Sequence, residues 1–250
     1  MKFIEIYRVK NWYYYLGFVL MGFLSVSSFN LELLMLLFLG SFLLAYSFSL
    51  NDFCDEGKKA YFIFPLILSI LFLPLLNFSQ IFLSVFFLFI VTIYSAKPVR
   101  LKAKPFFSSL CNGVGFSMLF LLGHSTKAFD FVAFLLFLLF FSFNMVAQFI
   151  HEVVDLKDDK KNKIITTAVF LGQKSMKKLC CFFLLLSFLV SLYLFCLNIV
   201  SPFFVFVTLL FAFFFMYRIF TSKIDKRLRE EYKFFGLFLG LIYLILIVYR

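Results

Sequence analysis

Nine apolar runs dominate this chain and leave it few ways to fold. They lie at about 12–29, 31–50, 61–77, 79–96, 106–123, 128–150, 179–197, 199–217 and 234–249, separated by short charged or polar breaks. A helix needs about 20 residues to cross the hydrocarbon of a bilayer, so crossings take up most of the chain and little is left for any domain outside them. Backbone polar groups in lipid must be satisfied within the protein, which permits helices or a closed barrel. Continuous apolar runs, in place of strict alternation, exclude the barrel. Composition agrees: 64% of residues are hydrophobic and 15% charged, and the mean hydropathy of +1.02 lies far above that of a soluble chain. The expected fold class is all-α, a polytopic membrane protein forming one domain over 1–250, a bundle of about nine transmembrane helices. The third and fourth runs, and the last two, are short or closely joined, so seven or eight crossings also fit the pattern.

Charge supplies the orientation. With nine crossings, 22 of the 24 Lys and Arg residues fall on the side that holds the N-terminus, and only Lys127 and Arg250 fall on the other. Basic loops remain cytoplasmic, so the segments near 55, 100, 160 and 226 are expected to face the cytoplasm. Trp12 and Tyr13 to Tyr15 anchor the first run at the interface, and no small-residue cleavage signal marks it for removal. The net charge of +11 is explained by loops facing an anionic leaflet; no nucleic-acid partner follows. Cys54, Cys111, Cys180, Cys181 and Cys196 lack metal-ligand spacing and read as packing residues.

The acidic residues are concentrated. Seven of the 13 lie in two short segments on the cytoplasmic side: Asp52, Asp55 and Glu56 after the second run, and Glu152, Asp155, Asp158 and Asp159 after the sixth. At about 100° per residue, Asn51, Asp52, Asp55 and position 59 share one helical face, as do Glu152, Asp155 and Asp159. Carboxylates crowded at a membrane surface need a counter-charge. An oxygen-only donor set favours magnesium over zinc. The two segments, NDFCDEGKK and HEVVDLKDD, stand 100 residues apart with four runs between them, which fits either an internal duplication (31–96 and 128–217) or chance likeness of two acidic helix ends.

Between them comes YSAKPVRLKAKP, which brings Tyr94, Ser95, Lys97, Arg100, Lys102 and Lys104 to the same side. Such a loop suits contact with anionic headgroups. It equally suits a diphosphate held by Arg and Lys and bridged by metal to the carboxylates, with the apolar helices below taking a hydrocarbon tail. A polyprenyl diphosphate has both parts.

On these motifs the chain resembles the UbiA-type intramembrane prenyltransferase family, whose members are nine-helix bundles with two aspartate-rich cytoplasmic motifs. Asn51, Asp52 and Asp55 match the start of N-D-x-x-D-x-x-x-D. Glu152, Asp155 and Asp159 match D-x-x-D-x-x-x-D with Glu in the first place. Thr166, Thr167, Ala168, Leu171 and Gly172 resemble the downstream T-x-A/P-V-x-L-G segment. Tyr94, Ser95, Pro98, Arg100, Leu101, Lys102 and Pro105 resemble Y-S-x-x-P-x-R-L-K-x-x-P. Two departures stand out: Lys59 replaces the last acid of the first motif, and Lys163 replaces the usual glycine after the second.

The resemblance implies a magnesium-dependent enzyme facing the cytoplasm. It would move a prenyl group from an allylic polyprenyl diphosphate to a lipid-soluble acceptor, an aromatic quinone precursor or a glycerol-phosphate ether lipid among others. Asp52, Asp55, Glu152, Asp155 and Asp159, with Asn51 in support, are then the expected metal and diphosphate residues. Arg100, Lys102, Tyr94 and Lys59 are expected on the diphosphate, and Arg8 and Asn11 on a polar group of the acceptor. Two rival readings are a noncatalytic lipid-binding homologue, motivated by Lys59, and a secondary transporter, whose ion-coupling groups would lie at the midplane. His151 reads as a base or as a spectator, residues 226–233 as a solvated loop, Asp158 as solvated, and Gly113 as a site of close helix packing.

Overall fold

A computed structural model describes residues 2–126 and 129–248, and every regular element among them is helical. In chain order these are α1 (Lys2–Ile6), α2 (Leu16–Leu24), α3 (Leu31–Glu56), α4 (Ile63–Phe72), α5 (Phe78–Ser95), α6 (Phe107–His124), α7 (Phe131–Lys161), α8 (Thr167–Cys196), α9 (Pro202–Thr221) and α10 (Lys226–Val248). Each apolar run has its helix. Among the described residues, seven helices are long and apolar enough to cross a membrane, whereas the first and third runs form the shorter segments Tyr13–Leu24 and Ile63–Leu75.

Polar residues in the breaks start the helices. Asn30 accepts from the Leu33 amide, Asp130 from that of Ala133 and Ser201 from that of Phe204, and Asn77 and Gln80 form a reciprocal capping box. The helix ends depart from the apolar runs where function is expected. α3 continues to Glu56 and α7 to Lys161, so both acidic segments ride on unbroken helical extensions of their crossings. α8 begins at Thr167 and is broken at Gly172, whose φ of 76° and ψ of 161° are non-helical. Residues 226–233, expected as a loop, are the first turns of α10: Asp225 accepts from the Leu228 amide and starts the helix there.

The chain divides into two compact units. The first runs to Leu101 and includes Met118–Phe129; in it α3 packs against α2, α4 and α5. Leu36, Leu39, Leu43 and Leu44 of α3 are fully buried, at the three- and four-residue spacing of one helix face. A Cβ on Gly22 of α2 would collide with the Phe120 carbonyl oxygen, and one on Gly123 with that of Val19. These glycines let two backbones touch, as small residues do in membrane helices. Gly22→Ala and Gly123→Ala are each expected to destabilise the protein by about 3 kcal/mol, because rigid backbone must be pushed aside. Unfolding in mixed micelles would measure this, and a loss under about 1 kcal/mol would contradict it.

The second unit comprises Lys102–Ser117 and everything from Asp130 onward. Here α7 packs on α8, α8 on α9, and α10 on both α7 and α9. Phenylalanines divide by helical face: Phe204, Phe211 and Phe215 are buried, whereas Phe203, Phe206 and Phe213 are exposed on the surface that lipid would cover. Tyr243 meets both Phe140 and Phe204 at 5.4 Å. Gly113 faces the Met145 side chain, in keeping with the packing role expected of it.

Candidate functional site

In the first unit, the last turns of α3 carry Asn51, Asp52 and Asp55. Gly57 adopts a left-handed conformation, φ 63°, and ends the helix with its N–H on the Phe53 carbonyl. Position 59 therefore leaves the helix, and the expected stripe stops at Asp55. Lys59 is exposed, and its neighbour Lys58 makes the contacts, 2.8 Å to Asp52 and 2.9 Å to Glu56. The hydrogen bonds to Asp52 and then Glu56 raise the Lys58 pKa above the usual lysine value.

Asp52 is buried, and its second oxygen receives Arg8 at 2.9 Å. Arg8 is itself tightly set. It has a left-handed φ of 51°, its guanidinium lies over the Phe48 ring at 5.6 Å, and the Asn11 amide, turned to satisfy its bonding, accepts from Nε and Nη2 at 3.0 Å each. Residues 8 and 11, expected at the acceptor, are gathered beside the first acid of this motif, Arg8 on Asp52 and Asn11 on Arg8.

Asp55 is reached by the basic loop. Arg100, also left-handed with φ 41°, places Nη2 3.1 Å from its Oδ1. The Nε of Arg100 is buried and makes no hydrogen bond among the described residues. A buried guanidinium donor without an acceptor is rare in proteins, and here it sits on a candidate phosphate-binding residue. Ser95 at the end of α5 approaches Asn51 at 3.4 Å, and Tyr94 beside it is half-buried.

In the second unit, α7 presents Glu152, Asp155 and Asp159, and the three differ in kind. Glu152 is buried and filled with donors: Ser109 at 2.7 Å, Ser108 at 3.1 Å and Gln148 at 3.2 Å on Oε1, and the Ala168 amide at 3.1 Å on Oε2. The carboxylate thereby caps α8, where the exposed N–H groups and the helix dipole favour an anion. Thr167 joins the same cluster, 2.6 Å from Ser109, and accepts from the Phe106 amide at 3.0 Å.

Asp155 and Asp159 are less committed. Asp155 meets His151 at 3.2 Å and Arg229 of α10 at 3.9 Å. Burial lowers the His151 pKa, with Arg229 and Lys233 adding to the effect and Asp155 and Glu152 opposing it. Asp159 receives only Thr166 among the described donors, at 3.2 Å. Its carboxyl is pushed up to about 6, chiefly by burial and further by Asp155, Glu152 and Asp158, against the Thr166 hydrogen bond. Asp158 is exposed, as expected, and Lys102 is buried. Lys163 adopts φ 56°, a left-handed conformation that favours glycine.

Among the described residues, no three His, Cys, Asp or Glu side chains gather as a ready-made metal cage. Magnesium does not require one, since it is commonly held by one or two carboxylates with water and substrate phosphate. Asp155 and Asp159, one helical turn apart with lone pairs to spare, fit that demand in the second unit, and Asp55 fits it in the first. The raised pKa of Asp159 has a measurable consequence. The folded, metal-free protein binds a proton there more tightly than the unfolded chain does, at an ordinary value of 3.8, so this group's stabilisation is present below that value and is lost as pH rises through about 6. A cation competes with that proton. Divalent affinity is therefore expected to fall by up to about tenfold per pH unit below about pH 6, and Mn2+ titration between pH 5 and 8 would show it; a flat profile would contradict the assignment.

The structure adds residues that the sequence reading passed over: Lys58 beside Asp52, Ser108 and Ser109 under Glu152, and Arg229 beside Asp155. The serine pair opening an apolar helix was a usable signal. Arg229 lies 74 residues beyond Asp155, and no local pattern marks it.

Fold and side chains together define a helical membrane protein with acid and cation clusters built on the emergent ends of two crossings. Residues 56–242 match the UbiA prenyltransferase family, three quarters of the chain, and the protein belongs to that family. The match takes in the basic loop and the second acidic segment but begins just after Asp55. Solved structures agree in fold. A UbiA homologue from Archaeoglobus fulgidus, bound to GPP and Mg2+, superposes with a TM-score of 0.79 at 19% identity, covering 100% of both chains. A digeranylgeranylglyceryl phosphate synthase gives 0.80 at 18% identity, covering 99% of this chain and 98% of the other. The apo UbiA homologue from Aeropyrum pernix K1 gives 0.72 at 13%, covering 94% and 96%. No curated protein matches the chain in sequence.

Proposed function

We propose that this protein is an intramembrane prenyltransferase. It would move a prenyl group from an allylic prenyl diphosphate to a lipid-soluble acceptor, an aromatic quinone precursor or a glycerol-phosphate ether lipid, at a site facing the cytoplasm. The observation that carries this reading is Arg100: a guanidinium paired with Asp55 on one side, with a buried Nε still lacking an acceptor. A phosphate oxygen is the acceptor such a group is shaped for. The family supports the reaction class, and the A. fulgidus homologue's complex with GPP and Mg2+ supports the choice of donor substrate and metal.

In the first unit Asp55 with Asn51, and in the second unit Asp155 with Asp159, would each hold magnesium, which neutralises the leaving diphosphate. Arg100 and Lys102 would take phosphate oxygens, and Tyr94 would stand near the allylic carbon, where a ring face stabilises developing positive charge. Asp52, Arg8, Lys58 and Asn11 would fix the end of α3, and Glu152 the start of α8, holding the ligating acids in place. Lys59 is free to approach the diphosphate from the loop.

Incubation of the purified protein with geranylgeranyl diphosphate, magnesium and a panel of acceptors, followed by mass spectrometry of the lipid extract, is expected to yield a prenylated product only with metal present. Absence of both product and metal-dependent diphosphate release would favour a noncatalytic lipid-binding protein. In intact cells, single cysteines placed at Ser79 and at Asn162 in a cysteine-free background are expected to label from opposite faces of the membrane; labelling from one face would overturn the orientation.

A further inference from the structure

The first turns of α10 carry Arg227, Arg229 and Lys233, and the two arginines do different things. Arg227 is 83% exposed in its side chain and pairs with Glu231, which Arg218 also holds. Arg229, only 23% exposed, turns onto α7. Its Nη1 lies 3.3 Å from His151 Nδ1 and 3.9 Å from Asp155 Oδ1, and its Nε lies 3.3 Å from Glu230. Nη2 makes no hydrogen bond or ion pair among the described residues.

This is a loose arrangement. An arginine that locks a carboxylate does so through two parallel bonds of about 2.7–2.9 Å, and Arg229 stands roughly an ångström short of Asp155. His151 does not close the gap. Its Nδ1 is also 3.2 Å from Asp155, and a single ring nitrogen either donates to the carboxylate or accepts from the guanidinium. Half-buried, with donors in excess of acceptors and beside a carboxylate suited to a metal, the guanidinium offers its fork to a further oxyanion.

We propose that Arg229 is a diphosphate-binding residue, contributed to the second acidic segment by the last helix; this rests on the prenyl diphosphate reading above. Its hold on Asp155 is then a resting position. Once a cation takes the carboxylate, the guanidinium is repelled from the metal and attracted to phosphate oxygens on that metal.

The test uses the full-length protein in detergent, with Mn2+ and inorganic pyrophosphate as probes and binding read by calorimetry. Arg229→Gln is expected to weaken pyrophosphate binding at saturating Mn2+ by about tenfold to a hundredfold, the effect of losing a charge-assisted contact. Mn2+ binding alone should be unchanged or a few-fold tighter, since a cation beside Asp155 has been removed. Arg229→Lys keeps the charge without the fork and should weaken pyrophosphate binding by about three- to tenfold, which keeps the test open if the glutamine variant does not fold. Arg227→Gln should change neither. Near wild-type pyrophosphate affinity in Arg229→Gln or Arg229→Lys overturns the proposal, as does a marked loss of Mn2+ binding in Arg229→Gln, which would make Arg229 a support for Asp155. If the wild-type protein itself shows no Mn2+-dependent pyrophosphate binding, the prenyl diphosphate reading fails first.

Discussion

Asp155→Asn is expected to lower turnover by about a hundredfold or more while leaving the protein folded. Among the described residues Asp155 meets His151 at 3.2 Å and Arg229 at 3.9 Å, a looser hold than a bidentate ion pair, which leaves its charge available to a cation. Asparagine keeps the shape but removes the charge, and a lost anionic ligand sacrifices several kcal/mol of transition-state stabilisation. Asp55→Asn should behave alike, because Asp55 lies in the first acidic segment 3.1 Å from Arg100, and asparagine there likewise removes an anionic ligand. Asp158→Asn, on an exposed residue of the same helix, should change the rate by less than about threefold, since exposed charges contribute little. Diphosphate release at saturating magnesium and prenyl diphosphate measures all three. A rate for Asp155→Asn within tenfold of wild type would remove it from the metal site.

Glu152 should fail in a different way. Glu152→Leu is expected to destabilise the protein by about 3–5 kcal/mol, because each buried donor left without its acceptor costs about 1–3 kcal/mol, relieved in part by relaxation. Ser108, Ser109, Gln148 and the Ala168 amide would all lose their acceptor in a site closed to water, and the N-terminus of α8 would lose its anion. Glu152→Gln retains one acceptor oxygen and should fall between leucine and wild type. Unfolding in mixed micelles would rank the variants. If the leucine variant unfolded within about 1 kcal/mol of wild type, the carboxylate would not be the clamp its contacts describe.

These contrasting expectations concern two acids of one motif, three residues apart, and the sequence made them equivalent. Both lie on the same face of a helix, and periodicity reads only faces. What lies against that face depends on residues far away: Ser108, Ser109 and Ala168 for Glu152, His151 and Arg229 for Asp155. The same holds for Lys58 and Lys59. Helical spacing placed residue 59 on the acidic stripe, yet Gly57 ends α3, and Lys58 is the lysine that reaches Asp52. A glycine immediately before a lysine pair is a legible stop signal.

Hydropathy and periodicity determined the class of this protein. Lipid accepts only internally bonded backbone, so runs of about twenty apolar residues had one solution. The acidic and basic segments were legible as chemistry because ionised groups at a membrane surface need partners. Tertiary structure alone decided which charge serves which purpose. Asp52 and Glu152 are buried among their partners while Asp155 and Asp159 are less enclosed, because burial and hydrogen-bond filling are set by what packs against a side chain in space, and that is not written within its own stretch of chain.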